Sequence, residues 1–459
     1  MKQNNAPHLG IAALIAISIA ALFAVLNTYN LLNIPPTVLF SSRWLAIVGL
    51  FLYGFKKQSL TTWILISMVV GAEIGHDFPS VGMNLQVLSK VFLKMIKTIV
   101  APLLFATLVF GIAGHADLKQ VGRMGWKSIL YFEVVTTIAL FIGLAAINIS
   151  KAGVGIELPS GPQEELQAVP PQSFNDIILH IFPENIAKSI VDGQILQIVV
   201  FSIIFGIALA MVREEKRQPM LKAVESLSEV MFKFTNIVMY FAPIGVGAAI
   251  AYTVGHMGLG ILLHLIQLLL TLYVSLLVFL LGVLLPIGLI VGVPVKKFLL
   301  AIAGPVSIAF ATTSSEAALP RAMENMEKLG VPRKIVAFVM PTGYSFNLDG
   351  TTLYLSLAAI FVSQAAGMDL TIGQQLLIVF TLMLTSKGVA GVPRASLVIL
   401  LGTASSFGMP VWPIFIILGI DELMDMGRTS VNVIGNCLAT VVIAKWEKEF
   451  KPTPDEIQF

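Results

Sequence analysis

The stretch Phe298–Pro320, FLLAIAGPVSIAFATTSSEAALP, decides how the rest of the chain is read. Its apolar arm, Phe298–Ala311, is too short to cross a bilayer as a helix, which takes about 20 residues. The arm runs into a polar tip, Thr312-Thr313-Ser314-Ser315-Glu316, and beyond Pro320 a second arm turns charged at Arg321. The same pattern recurs later: Leu370–Thr385, then Ser386-Lys387-Gly388-Val389-Ala390-Gly391-Val392-Pro393-Arg394, then the short arm Ala395–Phe407. Short arms about a polar or Gly/Pro-rich break describe re-entrant helical hairpins; two kinked ordinary spans are the alternative. Irregular backbone is tolerated at membrane depth only where protein or a water-filled cavity satisfies it. Two such elements point to a midplane binding site of the kind built by inverted repeats in secondary transporters.

Working outward, the 459 residues are 56% hydrophobic and only 12% charged, with mean hydropathy +0.88. A soluble domain carries about 25% charge. Apolar runs recur at Gly10–Asn27, Trp63–Gly75, Val100–Gly114, Ser128–Ile149, Ile195–Val212 and Gly258–Val293. An outer-membrane barrel shows short alternating segments instead. The class is an all-α polytopic membrane protein.

The net charge of +3 says little, but its placement says more. Lys56/Lys57, Lys119/Arg123/Lys127, Arg213/Lys216/Arg217/Lys222, Lys296/Lys297, Arg333/Lys334 and Lys445/Lys448/Lys451 fall in alternate connections. The long connection Lys151–Lys188 is acidic and Pro-rich. By the positive-inside rule the basic loops and both termini are cytoplasmic. Lys90, Lys94 and Lys97 interrupt the alternation, at a spacing that suits a snorkelling stripe at a helix start. The first two runs, about Asn30, Asn33 and Pro35-Pro36, read as a helical hairpin, although Arg43 sits within the second. The first run reads as a membrane anchor and not as a cleavable signal. A single cysteine, Cys437, excludes an intramolecular disulfide and Cys-based metal or redox motifs.

The segment Ile414–Ala444 is apolar on most sides but holds Asp421, Asp425, Arg428, Asn432 and Asn436. At helical pitch these five fall within an arc of about 80° on one face, with Thr429 at its edge. A charge at the bilayer centre costs roughly 2.5–3.5 kcal/mol on insertion scales, so such residues face a cavity or a partner. One reading is a structural Asp425–Arg428 ion pair. The other is a site for a zwitterionic anion: Arg428 offers a fork matched to a carboxylate, Asp425 accepts from an ammonium, and Thr429 and Asn432 add neutral hydrogen bonds. A second cluster, Asn347-Leu348-Asp349-Gly350-Thr351, lies inside the apolar stretch Ile335–Ala366. Gly350 beside Asp349 suggests a locally unwound helix that binds a cation or proton; a polar kink joining two helices is the alternative.

These motifs together resemble the dicarboxylate/amino acid:cation symporter family, the glutamate-transporter homologues. Ser314-Ser315 at the tip, Asn347-x-Asp349-Gly350-Thr351, Gly391-Val392-Pro393 and Asp425-Met426-Gly427-Arg428-Thr429-x-x-Asn432 carry the resemblance, which covers about residues 59–450. It implies eight family transmembrane helices plus two re-entrant hairpins, with an extra N-terminal helical hairpin. It divides the chain into that additional hairpin (1–58), mainly scaffold and trimerisation helices (59–294), a transport-domain core (295–450) and a cytoplasmic tail (451–459). It further implies a homotrimer in which the transport domain moves as an elevator. Arg428 would hold the substrate side-chain carboxylate and Asp425 its amino group. Ser314, Ser315, Thr351, Thr429, Asn432 and the backbone at Gly391 and Val392 would complete the site.

Departures from the family pattern bear on coupling. Sodium-coupled members have Met where this chain has Leu348, Asp where it has Asn436, and a Tyr and a Thr where ungapped alignment finds Phe132 and Val135. Two extra carboxylates, Glu133 and Glu316, appear instead. The chain is most similar to the proton-coupled bacterial glutamate/aspartate symporters of the family. Coupling candidates are Glu316, Asn347, Asp349, Asp421, Asn436 and Glu133, with the proton expected as coupling ion ahead of sodium. A carboxylate in a low-dielectric site is pushed toward neutral pH, as a proton carrier requires; Glu316 could equally hold the tip to Arg428. C4-dicarboxylate relatives share the tip but have Ser-Glu-Ala-Arg at Asp425–Arg428, so Asp425 favours an amino acid. Arg394, where the family has Gly, either adds a carboxylate contact, ties the hairpin to Glu316 or faces the aqueous mouth.

The expected partners are an acidic amino acid, a proton, membrane lipid and further copies of the chain in the bacterial cytoplasmic membrane. No cofactor, metal or nucleic acid is expected. His264 reads as a packing histidine. No Walker-type motif occurs, which disfavours an ATP-driven pump. A channel has no use for zwitterion recognition, and an enzyme lacks a nucleophile with a base near Ser314 or Ser315.

Overall fold

The structure, a computed structural model, describes residues 6–114, 118–156, 182–192, 194–386 and 395–452. Helix is the only regular secondary structure among them. In chain order the helices are α1 (Ala6–Thr28), α2 (Pro36–Lys57), α3 (Leu60–Asp77), α4 (Pro79–Asn84), α5 (Gln86–Ala113), α6 (Leu118–Ser150), α7 (Ile186–Val191), α8 (Ile195–Met211), α9 (Glu214–Met239) and α10 (Ala242–Met257). There follow α11 (Ile261–Phe279), a π-helical turn (Leu280–Leu284), α12 (Leu285–Val291), α13 (Val295–Thr312), α14 (Ser315–Leu329), α15 (Arg333–Phe346), α16 (Asp349–Ala365), α17 (Ile372–Thr385), α18 (Ala395–Ser406), α19 (Trp412–Leu418) and α20 (Asp421–Trp446). Six described segments are long and apolar enough to cross a membrane: 8–28, 36–57, 79–113, 124–150, 261–291 and 295–312. Large apolar side chains such as Leu14, Leu45, Leu263 and Ile290 are exposed, as the outer face of a chain solvated by lipid requires. The protein is an all-α polytopic membrane protein.

The chain forms two compact units. The first joins residues 1–93 to 240–261. In it α1 and α2 pack along each other, and Asn27 Oδ1 accepts from the Ile34 amide at 3.2 Å across the turn between them. Pro36 opens α2, where its fixed φ suits the first helical turn and its missing N–H would be unbonded in any case. Arg43 is helical and finds partners on α3: Nε donates to Glu73 at 2.8 Å and Nη2 to Asp77 at 2.5 Å. Trp44 Nε1 donates to the other Asp77 oxygen at 2.9 Å. α3 and α10 approach until backbones touch: a β-carbon on Gly71 would collide with the Gly247 carbonyl, and one on Gly75 with that of Ala251. Gly71/Gly75 and Gly247/Ala251 thus form small-residue stripes four apart, the spacing that lets membrane helices associate without hydrophobic drive.

The second unit holds residues 94–239 and 262–459. Its centre is α20, packed against α6, α13, α14, α15 and α16. α16 is buried along nearly its whole length, against α6 and α20. The end of α20 is tied down by Lys127, which donates to Glu447 at 2.6 Å and to the Trp446 carbonyl at 3.2 Å. Lys334 pairs with Glu449 at 2.8 Å. α13 and α14 pack along each other as a helical hairpin. α13 is longer than the apolar run alone, because Lys296 and Lys297 already belong to its first turn.

Candidate functional site

The hairpin turn between α13 and α14 is Thr313-Ser314. Thr313 takes the left-handed conformation, φ +51°, and Ser314 Oγ accepts from the Ala317 amide at 3.2 Å, capping α14. Ser315 follows, buried. Glu316 is exposed.

α15 and α16 are parted by Asn347 and Leu348, whose backbones are non-helical. Asp349 and Gly350 are already helical, so the break falls at the start of the Asn347–Thr351 cluster. Asn432 of α20 supports the helix start that follows. Its Oδ1 accepts from the amides of Gly350 at 2.8 Å and Thr351 at 3.2 Å, satisfying N–H groups that every helix start leaves unpaired. Its Nδ2 donates to Thr351 Oγ1 at 2.9 Å. Gly350 also abuts the Arg428 carbonyl, where a β-carbon would not fit.

On the first turns of α20, Arg428 is 1% exposed. Its guanidinium spreads between two carboxylates of its own helix. Nε donates to Asp425 Oδ1 at 2.8 Å, Nη1 to Asp421 Oδ1 at 2.9 Å and Nη2 to Asp421 Oδ2 at 3.3 Å. Its Cζ lies over the ring of Tyr354 of α16, 4.3 Å from the ring centroid, while Tyr354 Oη donates to Asp421 Oδ1 at 3.4 Å. Thr429 Oγ1 donates to Asp425 Oδ1 at 2.9 Å. The second Asp425 oxygen, Oδ2, is buried with no hydrogen-bond partner. The cluster joins one cation to two anions and carries a net charge of −1 when all are ionised.

One turn further on, the side chains of Asn347, Asp349 and Asn436 meet, all fully buried. Asn347 Nδ2 donates to Asp349 Oδ2 at 3.3 Å and to Asn436 Oδ1 at 3.4 Å. Asn347 Oδ1 and Asn436 Nδ2 are buried without hydrogen-bond partners. The hydroxyl of Tyr131 on α6 is likewise buried without one, within electrostatic reach of Asp349. A carboxylate and an amide carbonyl are hard oxygen donors, the chemistry of a proton or small-cation site. Because Asn436 supplies an amide, these three side chains bring a single negative charge.

Residues 60–446 match the family described as the Sodium:dicarboxylate symporter family. The chain belongs to that family. It is 42% identical over 400 residues to the proton/glutamate-aspartate symporter of Bacillus subtilis (strain 168), an alignment covering 86% of this chain and 96% of that relative. To the proton/sodium-glutamate symport protein of Bacillus caldotenax it is 41% identical over 405 residues, 86% and 96% of the two chains. To the C4-dicarboxylate transport protein of Bacillus subtilis (strain 168) it is 40% identical over 399 residues, 86% and 94%. The resemblance carried by the motifs holds, and α1 and α2 lie outside the family match.

Within this symporter-family frame, Asp421, Asp425, Arg428 and Thr429 meet directly, and Thr351 and Asn432 bond to each other. Asn347, Asp349 and Asn436 form the second group. Ser314 is a helix cap, Ser315 is buried beside it, and Glu316 is exposed at the same tip. Glu133 is half-buried on α6. Phe132 and Val135 of α6 are each 1% exposed. Gly391, Val392 and Arg394 lie outside the described residues. Reading the sequence missed Tyr354, the ring partner of Arg428. Its signal was a phenol one turn beyond the Asp349-Gly350-Thr351 motif, on the same helix.

Proposed function

We propose that the protein is a secondary active symporter that imports glutamate or aspartate together with protons. One observation carries the reading: Asp425 Oδ2, a buried carboxylate oxygen with no hydrogen-bond partner, belongs to the same residue whose Oδ1 lies 2.8 Å from Arg428. An ammonium acceptor thus sits beside a carboxylate-binding fork, the two charges of an α-amino acid in complement. Leu348, Asn436, Phe132 and Val135 remove a thioether, a carboxylate and two hydroxyls from sodium-ligand positions, which supports a proton over sodium. The family and the names of its relatives indicate a transporter.

Residues 295–450 form the moving core in this reading, with residues 59–294 mainly a scaffold in a homotrimer. The hairpin α13–α14 and the pair α17 and α18 act as its re-entrant gates, and the core travels as an elevator across the cytoplasmic membrane. The basic clusters Lys56/Lys57, Lys296/Lys297 and Lys445 support a cytoplasmic side for the basic ends and both termini. A C4-dicarboxylate substrate is the second reading, favoured by the 40% identity to a relative of that name. Uptake of labelled aspartate into proteoliposomes under an inward pH gradient without sodium tests both. Aspartate should accumulate and resist competition by succinate, whereas preference for succinate sinks the amino-acid reading.

A further inference from the structure

Arg428 meets its own two carboxylates in a way that leaves no complete fork for a third. A guanidinium offers carboxylates two bidentate edges, one through both Nη groups and one through Nε and its neighbouring Nη. Asp421 occupies the first edge with both oxygens, at 2.9 and 3.3 Å. Asp425 holds Nε at 2.8 Å. A substrate carboxylate held by a complete two-pronged edge must therefore displace one of them. Asp425 is retained, since Thr429 fixes the same oxygen from its own helix and its free oxygen is the acceptor for the ammonium. Asp421 is the ligand that yields. It is 0% exposed, and a carboxylate stripped of its counter-charge at that depth cannot stay ionised without a severe desolvation penalty.

We infer that Asp421 is the coupling residue: substrate displaces it from Arg428, and it takes up a proton as it leaves. The inference rests on the acidic amino-acid reading above. The charge arithmetic supports it. Before binding, Asp421, Asp425 and Arg428 sum to −1; glutamate or aspartate adds −1, and one proton on Asp421 returns the total to −1. The buried charge that must move through the low-dielectric region is thereby the same loaded or unloaded. The proton enters from the side on which substrate binds. It leaves on the opposite side, when substrate departs and Arg428 takes Asp421 back.

The charged and titratable groups facing Asp421 are Arg428 and Asp425 on its own helix and Tyr354 on α16. Tyr273 of α11 bonds instead to the Leu423 carbonyl, and Glu316 on α14 is exposed at the hairpin tip. Tyr354 keeps the guanidinium in place from the ring side and offers its hydroxyl to Asp421, so it positions both partners of the exchange.

The test is infrared difference spectroscopy of the purified full chain with and without L-aspartate, alongside the pH dependence of aspartate binding. A protonated-carboxyl band should appear on binding in the wild type and in Glu316→Gln, and be missing in Asp421→Asn. Wild-type affinity should weaken about tenfold per pH unit on the alkaline side, the slope of one linked proton, and be flat in Asp421→Asn. Where Asp421→Asn does not bind, Tyr354→Phe decides, because it removes only the hydroxyl facing Asp421. The band must shift in frequency; an unshifted band overturns the inference. A band that survives Asp421→Asn or vanishes in Glu316→Gln overturns it too, with the substrate reading intact. A wild type that binds neither aspartate nor glutamate sinks the substrate reading, and this inference with it.

Discussion

Gly435 presents bare backbone to Asp349: a β-carbon at position 435 would run into the Asp349 carboxylate. The contact joins α20 to the first residue of α16, where Asp349 is also bonded by Asn347 at 3.3 Å. Gly435→Ala should displace the carboxylate and cost about 1–3 kcal/mol, the range for overpacking a filled core. Thermal unfolding in detergent should show the loss, and uptake should fall at least tenfold. Wild-type uptake by the variant would mean that Asp349 has room to turn aside.

Arg428→Ala should abolish aspartate transport and destabilise the protein together. Removing the guanidinium leaves Asp421 and Asp425 as two buried carboxylates without a counter-ion, and breaking such a pair costs about 3–5 kcal/mol. Arg428→Lys should fold better yet transport poorly, because a point charge cannot reproduce the fork or sit as well over the Tyr354 ring. Binding assays on correctly inserted protein separate the two effects. Ordinary aspartate binding by Arg428→Lys would remove the fork from the recognition scheme.

Asp425→Asn keeps the side-chain shape and removes the charge that meets an ammonium. Affinity for aspartate should drop about 100-fold, in line with a lost charge-assisted hydrogen bond of 1.5–3 kcal/mol, while any residual binding of succinate should be spared. Competition between labelled aspartate and unlabelled succinate reads the ratio. Equal losses for both compounds would show that Asp425 serves Arg428 and not the amino group.

Arg43 anchors the added hairpin. Its side chain and that of Glu73 are about one-fifth exposed and Asp77 less so, so solvent screening limits the pairing to about 1 kcal/mol. Arg43→Ala should lower the melting temperature by a few degrees and leave aspartate uptake unchanged, since the family match begins only at residue 60. A drop in turnover at constant stability would give the hairpin a part in transport.

How much of this was legible in the sequence depended on whether the signal was local. Apolar run length gave the class, and the five polar residues on one face of α20 gave the cluster, because helical periodicity survives in any context. The break at Asn347–Leu348 falls inside the polar cluster visible in the sequence, but the side chain that caps the helix after it, Asn432, is about eighty positions away in the chain. Tyr354 was missed for the same reason: nothing near it in sequence betrays Arg428 above its ring. Arg43 cast doubt on α2 as a span until Glu73 and Asp77 on α3 supplied its partners. That Arg428 is already held by Asp421 follows from side-chain direction on a helix, which spacing alone leaves open.

The added hairpin of α1 and α2 has an even number of crossings, and that parity matters. An appendage of two spans returns the chain to the face from which it started, so residue 60 enters the bilayer with the sidedness it would have without it. A single added span would have turned every later element over, exchanging the two faces of the membrane for α20 and for each basic loop. Membrane-crossing extensions to a chain of this build keep its sidedness only in pairs. An engineered fusion at the N-terminus leaves α20 and the basic loops on their own sides only if it obeys the same count.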